Sequence, residues 1–192
     1  MINGIYETHA DVRNLKEARA FYEEQLGLTP SLVMEERGVI FYTPGGSGQV
    51  FGIWEKPEVE WKKSHFAFQI PVEDMKSAIS WLKDREIVAK QAFGLDPTEP
   101  LVHTWVPMAS VYFEDPDGNL LEFAANLPEP PDHDPKVIYF SDWEKKHGKH
   151  TSSPVQAEPT LETQHYKPYI PRQKAVVNEN YNRLLSQRIN RF

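Results

Sequence analysis

Apolar and polar residues alternate from the start of the chain. Over residues 5–12, Tyr6, Thr8, Ala10 and Val12 make a mostly apolar face, while Glu7, His9 and Asp11 make a polar one. That period of two predicts a strand half-buried in a sheet. Asn14 then stands as a helix N-cap, with Glu17 three residues on in the capping-box position. Ala18, Phe21, Tyr22 and Leu26 share one helical face, and Gly27 is the stop. Three short strands are expected at 32–34, 39–42 and 49–54. The turn Pro44-Gly45-Gly46-Ser47-Gly48 joins the last two.

After a polar link over 55–63 the pattern restarts. Residues 64–70 predict a strand with Phe66, Phe68 and Ile70 on one face and His65, Ala67 and Gln69 on the other. A helix follows over 74–85, with Met75, Ala78, Ile79 and Leu82 as its apolar stripe. Strands are expected at 87–93, 102–105, 110–114 and 120–124, with 94–101 a loop. The order is strand, helix, then three or four strands, twice over: an internal repeat at domain scale. Aligning the two turns matches Gly52 with Glu122 and Glu7 with His65. Pairing two curved sheets about a pseudo-twofold would bring all four positions to one cavity.

The stretch Asp115-Pro116-Asp117-Gly118 is turn chemistry between two apolar strands. Glu122 follows it between Leu121 and Phe123. A carboxylate inside an apolar strand is costly without a partner, so Glu122 is expected either to reach solvent or to meet one. Trp54 shares a strand face with Gly52, and His103 and Trp105 alternate on another. These four are expected to line a pocket, although Trp54 suits a core position and His103 and Trp105 suit a surface equally well.

The chain has 192 residues and no cysteine, which excludes disulfides, thiolate metal sites and cysteine nucleophiles. A net charge of −7 argues against binding a phosphate backbone. No apolar run reaches a membrane span and no signal-peptide pattern opens the chain, so a cytoplasmic protein without membrane partners is expected. Residues 128–171 hold 8 of the 16 prolines, which disfavours regular structure directly after the repeat. Ile138, Tyr139, Phe140 and Trp143 are too apolar for a free linker and are expected to dock. His147 and His150, among lysines, read as a solvated basic run. Residues 151–159 read as flexible. From 173 a helix is expected, with Val177, Tyr181, Leu184, Leu185 and Ile189 as its stripe.

Three stretches resemble the vicinal oxygen chelate superfamily of glyoxalases, fosfomycin- and bleomycin-resistance proteins and extradiol dioxygenases. They are Asn14-Leu15-Lys16-Glu17-Ala18-Arg19-Ala20-Phe21-Tyr22-Glu23-Glu24-Gln25-Leu26-Gly27-Leu28, Ser64-His65-Phe66-Ala67-Phe68, and the hairpin from Phe113 to Glu122. The resemblance implies an α+β, glyoxalase-like fold: two tandem βαβββ modules whose curved mixed sheets enclose a cavity. Module 1 would be residues 1–57 and module 2 residues 62–127, within a domain over 1–127. Residues 128–192 would be a Pro-rich extension ending in the helix.

Carried over by position, the resemblance implies metal ligands at Glu7, His65 and Glu122. Glu7 stands where the family's first-strand histidine usually lies, and Gly52 falls at a fourth position where some members place a carboxylate. His9, two residues along the same face, is a substitute ligand or a general base, because imidazole titrates near neutrality. Glu122 is both a metal and a catalytic candidate. One imidazole and two carboxylates suit Mn, Fe, Ni or Zn; no organic cofactor is implied.

The leading expectation is a glyoxalase-like metalloenzyme with lyase or isomerase chemistry on a small oxygenated substrate, working as a homodimer. The alternatives are a metal-free binding or drug-resistance protein, an extradiol-type dioxygenase, and a partner-binding role for the tail. The cavity is open to closure within one chain or across a dimer.

Overall fold

Alternation becomes two mixed sheets in the computed structural model, which describes residues 2, 4–46 and 48–148. In the first half the elements are β1 (Glu7–Val12), α1 (Leu15–Ala20), β2 (Pro30–Met34), β3 (Val39–Tyr42) and β4 (Val50–Glu55). The second half has β5 (His65–Gln69), α2 (Val72–Met75), α3 (Ala78–Lys83), β6 (Leu101–His103), β7 (Met108–Glu114) and β8 (Leu120–Asn126). After these come β9 (Val137–Tyr139) and α4 (Phe140–His147). The first sheet has the order β1-β4-β3-β2 and the second β5-β8-β7-β6-β9. In each, the opening strand runs parallel to the closing one: β1 to β4 and β5 to β8. The two sheets thus repeat one topology, the glyoxalase-like arrangement.

The Asn14 cap forms. Its Oδ1 accepts from the backbone N–H groups of Lys16 and Glu17 at 3.0 and 3.1 Å. Glu17 turns its carboxylate to the Asn14 side-chain amide at 3.1 Å rather than to the backbone. The helix continues past α1 as a wider turn, Phe21–Gln25, and Gly27 leaves it at φ +74°.

Two expectations are corrected. The helix over 74–85 is two short helices. Ser77 Oγ donates to the Asp74 carbonyl and Ser80 Oγ to the Ser77 carbonyl, and such hydroxyl back-bonding competes with the helical ladder. Residues 87–93 form no strand. Lys90 N–H reaches the Tyr112 carbonyl, and Phe93, at φ +53°, then turns the chain out of extended geometry.

The apolar faces of both sheets share one core. Phe51 packs on Tyr22, Phe66 and Phe68, with ring centroids 5.1, 4.6 and 5.8 Å away. Thr8 pairs with Phe51 in the ladder and Glu7 and His9 with their neighbours. Alternation therefore turns Glu7 and His9 to the opposite side of the first sheet. Leu121, Phe123 and Ala125 are in the core, which turns Glu122 to the opposite side of the second.

The Asp115 turn fastens the halves together. Asp115 Oδ1 accepts from the backbone of Asp117 and Asn119 (3.0 and 2.9 Å), and Gly118 supplies the left-handed residue at φ +86°. Tyr22 in the first half donates its hydroxyl to Asp115 Oδ2 at 2.8 Å, and Asn119 donates to the Asp11 carbonyl at 2.9 Å. Burial pushes the Asp115 carboxyl up, and burial together with Asp115 raises the Tyr22 hydroxyl well above its ordinary value.

Beyond β8, β9 pairs antiparallel with β6, and α4 buries Phe140 and Trp143. The apolar residues 138–140 and Trp143 thus dock on their own chain, despite the prolines before them. His147 stacks on Trp143 at 4.1 Å instead of facing water freely. His150, the 151–159 stretch and the helix expected from 173 lie outside the described residues. No helix among those described is long and apolar enough to cross a membrane.

Candidate functional site

The face of the second sheet turned away from the core carries a row of five polar groups across four neighbouring strands. Glu122 on β8 is only 3% exposed. Its Oε1 accepts a short hydrogen bond from Ser110 Oγ on β7, 2.5 Å, and its Oε2 lies 3.4 Å from His65 Nε2 on β5. The His65 Nδ1 sits 3.0 Å from the Leu120 carbonyl. A carbonyl only accepts, so Nδ1 carries a proton and donates it there, while Nε2 faces the Glu122 carboxylate.

Tyr112, opposite Glu122 in the β7–β8 register, continues the row. Burial together with the Glu122 charge raises the pKa of its hydroxyl. His103 on β6 is next: its Nε2 is 2.7 Å from the Tyr112 hydroxyl. Burial pushes the His103 imidazole down, towards the neutral form. Trp105 lies in the turn after β6, not on the strand, with its ring 4.8 Å from His103.

The first sheet carries a second polar pair. Glu7 Oε1 and His9 Nε2 are 2.9 Å apart on β1. Gly52 is what makes room for His9: a Cβ there would meet His9 Cδ2 at 2.7 Å and the Phe41 ring at 3.0 Å. The imidazole lies across the strand at Gly52, edge-on to Phe41 and Trp54 at 5.8 and 5.7 Å. Trp54 keeps a buried Nε1 without a hydrogen-bond partner, while Lys56 sits over its ring at 5.6 Å.

The residues singled out in the sequence thus fall into two groups on different sheets. Glu7, His9, Gly52 and Trp54 belong to the first; His65, Glu122, His103 and Trp105 belong to the second. Among the described residues no three His, Cys, Asp or Glu side chains converge as a metal site would need. Ser110 and Tyr112 were not singled out from the sequence. The signal was there: Ser110, Tyr112 and Glu114 alternate with Ala109, Val111 and Phe113, so β7 shows a polar face to Glu122.

Comparison with known proteins places the fold. The family model of the glyoxalase/bleomycin resistance protein/dioxygenase superfamily matches residues 8–123. Among curated proteins the chain is similar to metallothiol transferase FosB of Staphylococcus haemolyticus: 26% identical over 131 residues, covering 64% of this chain and 83% of that one. Among solved structures it is similar to an integron cassette protein from the mobile metagenome of the Halifax Harbour sewage outfall. There the TM-score is 0.56 at 27% identity, over 65% of this chain and 99% of that one. A glyoxalase/bleomycin resistance protein/dioxygenase from Nocardioides shares the fold at TM-score 0.52 and 19% identity, covering 70% and 90% of the two chains.

Proposed function

Because the chain belongs to the glyoxalase/bleomycin resistance protein/dioxygenase superfamily, we propose that it is a glyoxalase-like metalloenzyme acting on a small oxygenated substrate. The reaction class is lyase or isomerase. The observation that carries this reading is the His65–Glu122 pair. An imidazole anchored through Nδ1 to the Leu120 carbonyl, with Nε2 facing a buried carboxylate 3.4 Å away, is oriented as metal-ligating histidines are. Ser110 holds the other carboxylate oxygen. These groups suit a divalent cation such as Mn, Fe, Ni or Zn. The chemistry such an ion supplies is Lewis-acid polarisation of a substrate oxygen.

Two donors make half a site, and we assign the third to Glu7 of a second copy. Glu7 and His65 each open a strand, and β1 and β5 are each the terminal strand of a sheet. Beside these strands runs a cleft of about 1150 Å³ lined by Tyr6, Leu26, Phe66, Phe68 and Trp81. Ile5 lines it too, and Ile5 and Tyr6 are both exposed. Strand-edge pairing between two copies would bring Glu7 and His9 to His65 and Glu122. His9 Nε2, 2.9 Å from Glu7 and half exposed, is then the group placed to take a proton from the substrate.

Elemental analysis tests the metal. One transition-metal ion per chain, lost in Glu122→Ala, is the expected result. No metal in the wild type after Mn, Fe, Ni and Zn have been offered overturns it and leaves a metal-free binding pocket. Mixing tests the sharing: Glu7→Ala and Glu122→Ala chains, each unable to bind metal alone, should together recover about a quarter of the wild-type sites, since a mixed dimer keeps one intact site. No recovery after subunit exchange overturns the shared site.

Similarity to a metallothiol transferase favours a second reading at the same site, transfer of a thiol to the substrate. Turnover that requires an added thiol would select it.

A further inference from the structure

The polar row on the second sheet ends in an aromatic cluster that the proposed chemistry does not use. Phe93 and Trp105 are 62% and 43% exposed, an unusual surface position for rings of this size. Both meet His103 edge-on, with centroids 5.1 and 4.8 Å away, and Phe93 also reaches Tyr112 at 6.1 Å. Phe93 holds φ +53°, a backbone region that bulky residues rarely occupy and that glycine takes freely. A large apolar ring that is both exposed and strained contributes little to the core.

Beneath these rings His103 is 4% exposed, yet its Nδ1 has no hydrogen-bond partner. His103 Nε2 is satisfied by the Tyr112 hydroxyl at 2.7 Å. His103 Nδ1 is left buried and unpaired, and such groups are ordinarily satisfied.

We propose that Phe93, Trp105 and His103 form a subsite for a planar aromatic group bearing a hydroxyl or N–H, as in a phenol or an indole. The ring is held between Phe93 and Trp105, and its polar group reaches His103 Nδ1 as the Phe93 ring moves aside. His103 stands two strands from Glu122 in the order β8-β7-β6 and four residues along in register, opposite Met108 where Glu122 is opposite Tyr112, roughly 17 Å between backbone positions at the usual strand spacing and rise. The substrate class is therefore an elongated molecule with an oxygenated head at Glu122 and a phenolic or indolic group at the far end. This extends the reading of Glu122 as the reacting end, but binding at the subsite does not depend on metal.

Indole and phenol, titrated into the full-length protein by calorimetry or ligand-observed NMR with cyclohexanol as the non-planar control, test it. Indole and phenol should bind saturably and at least tenfold more tightly than cyclohexanol. Trp105→Ala and Phe93→Gly should each weaken indole at least tenfold, while Phe93→Gly leaves the melting temperature unchanged or raised. Glu122→Gln should leave indole binding intact, so a failed metal assay does not touch this result. Equal affinity for cyclohexanol, no saturable indole binding, or a lower melting temperature in Phe93→Gly would each overturn the subsite; the last would make Phe93 a packing residue.

Discussion

Replacing Ser110 with alanine removes one hydroxyl and tests how Glu122 is held. Ser110 is fully buried on β7, paired with Leu101 on one side and Ala124 on the other. No water reaches it to replace the lost contact. Its 2.5 Å bond to Glu122 Oε1 is charge-assisted, and hydrogen bonds to charged groups contribute about 1.5–3 kcal/mol. The variant should lose that much stability, a factor of about 10–150 in the folding equilibrium. In urea, with a slope of about 1–3 kcal/mol per molar, the midpoint should fall by roughly 1 M while the slope stays the same. In a Glu122→Gln background the bond becomes neutral, and the same Ser110→Ala change should cost only about 0.5–1.5 kcal/mol. The difference between backgrounds is the reading that matters. Equal costs in both, or a loss under about 0.5 kcal/mol in the wild type, would show that Ser110 does not hold an ionised Glu122. The orientation of the whole His65–Glu122 pair would then need another source.

Three further outcomes follow from the geometry. Gly52→Ala places a Cβ 2.7 Å from His9 Cδ2; it should cost about 1–3 kcal/mol in thermal or urea melts and shift the His9 imidazole resonances as the ring leaves Glu7. Tyr22→Phe removes the hydroxyl donated to buried Asp115; about 1–3 kcal/mol should be lost, and proteolysis should then cut first at the 115–118 turn. Lys63 and Lys90 hold Glu114 below the ordinary carboxylate range through their hydrogen bonds. With the folded pKa depressed, the associated stability is present above the unfolded value and lost as pH falls through the folded one. A Lys63→Met/Lys90→Met variant should therefore lose part of the wild type's acid sensitivity below about pH 4.5 in melting-temperature profiles.

Where a single period governs a segment, the chain states its own structure. The alternation at 65–69 reappears as alternating exposure along β5, and Asn14 caps α1 where the capping spacing puts it. Glu122 stands out because its neighbours are apolar, and it is indeed buried among polar partners. The missed features depend on events that periodicity does not encode. Ser77 and Ser80 divert their hydroxyls to local carbonyls and divide a helix whose apolar stripe is unbroken. Phe93 reads as a strand residue, yet its backbone takes a sign of φ that no composition rule assigns to phenylalanine. Glu7 and His65 stand on different sheets while lining the same cleft. An aligned repeat says which positions are equivalent, but not whether one chain or two bring them face to face; that depends on which faces Phe51 and Phe66 choose to bury.

The outer margins of the two sheets bear on how copies of this chain can add to one another. Strand β2, at one margin, begins with Pro30, which offers no N–H, and its register slips between Pro30 and Leu32. Strand β9, at the other, has three residues before the chain turns into α4. Proline, a bulge and shortness are each ways of refusing a further strand. Growth by strand addition is thus closed on the far side of each sheet, among the described residues, and left to β1 and β5. Under the shared-site proposal, a second copy that takes both would leave no open strand edge for a third among the described residues, and the same margins that would admit one partner would stop the addition there.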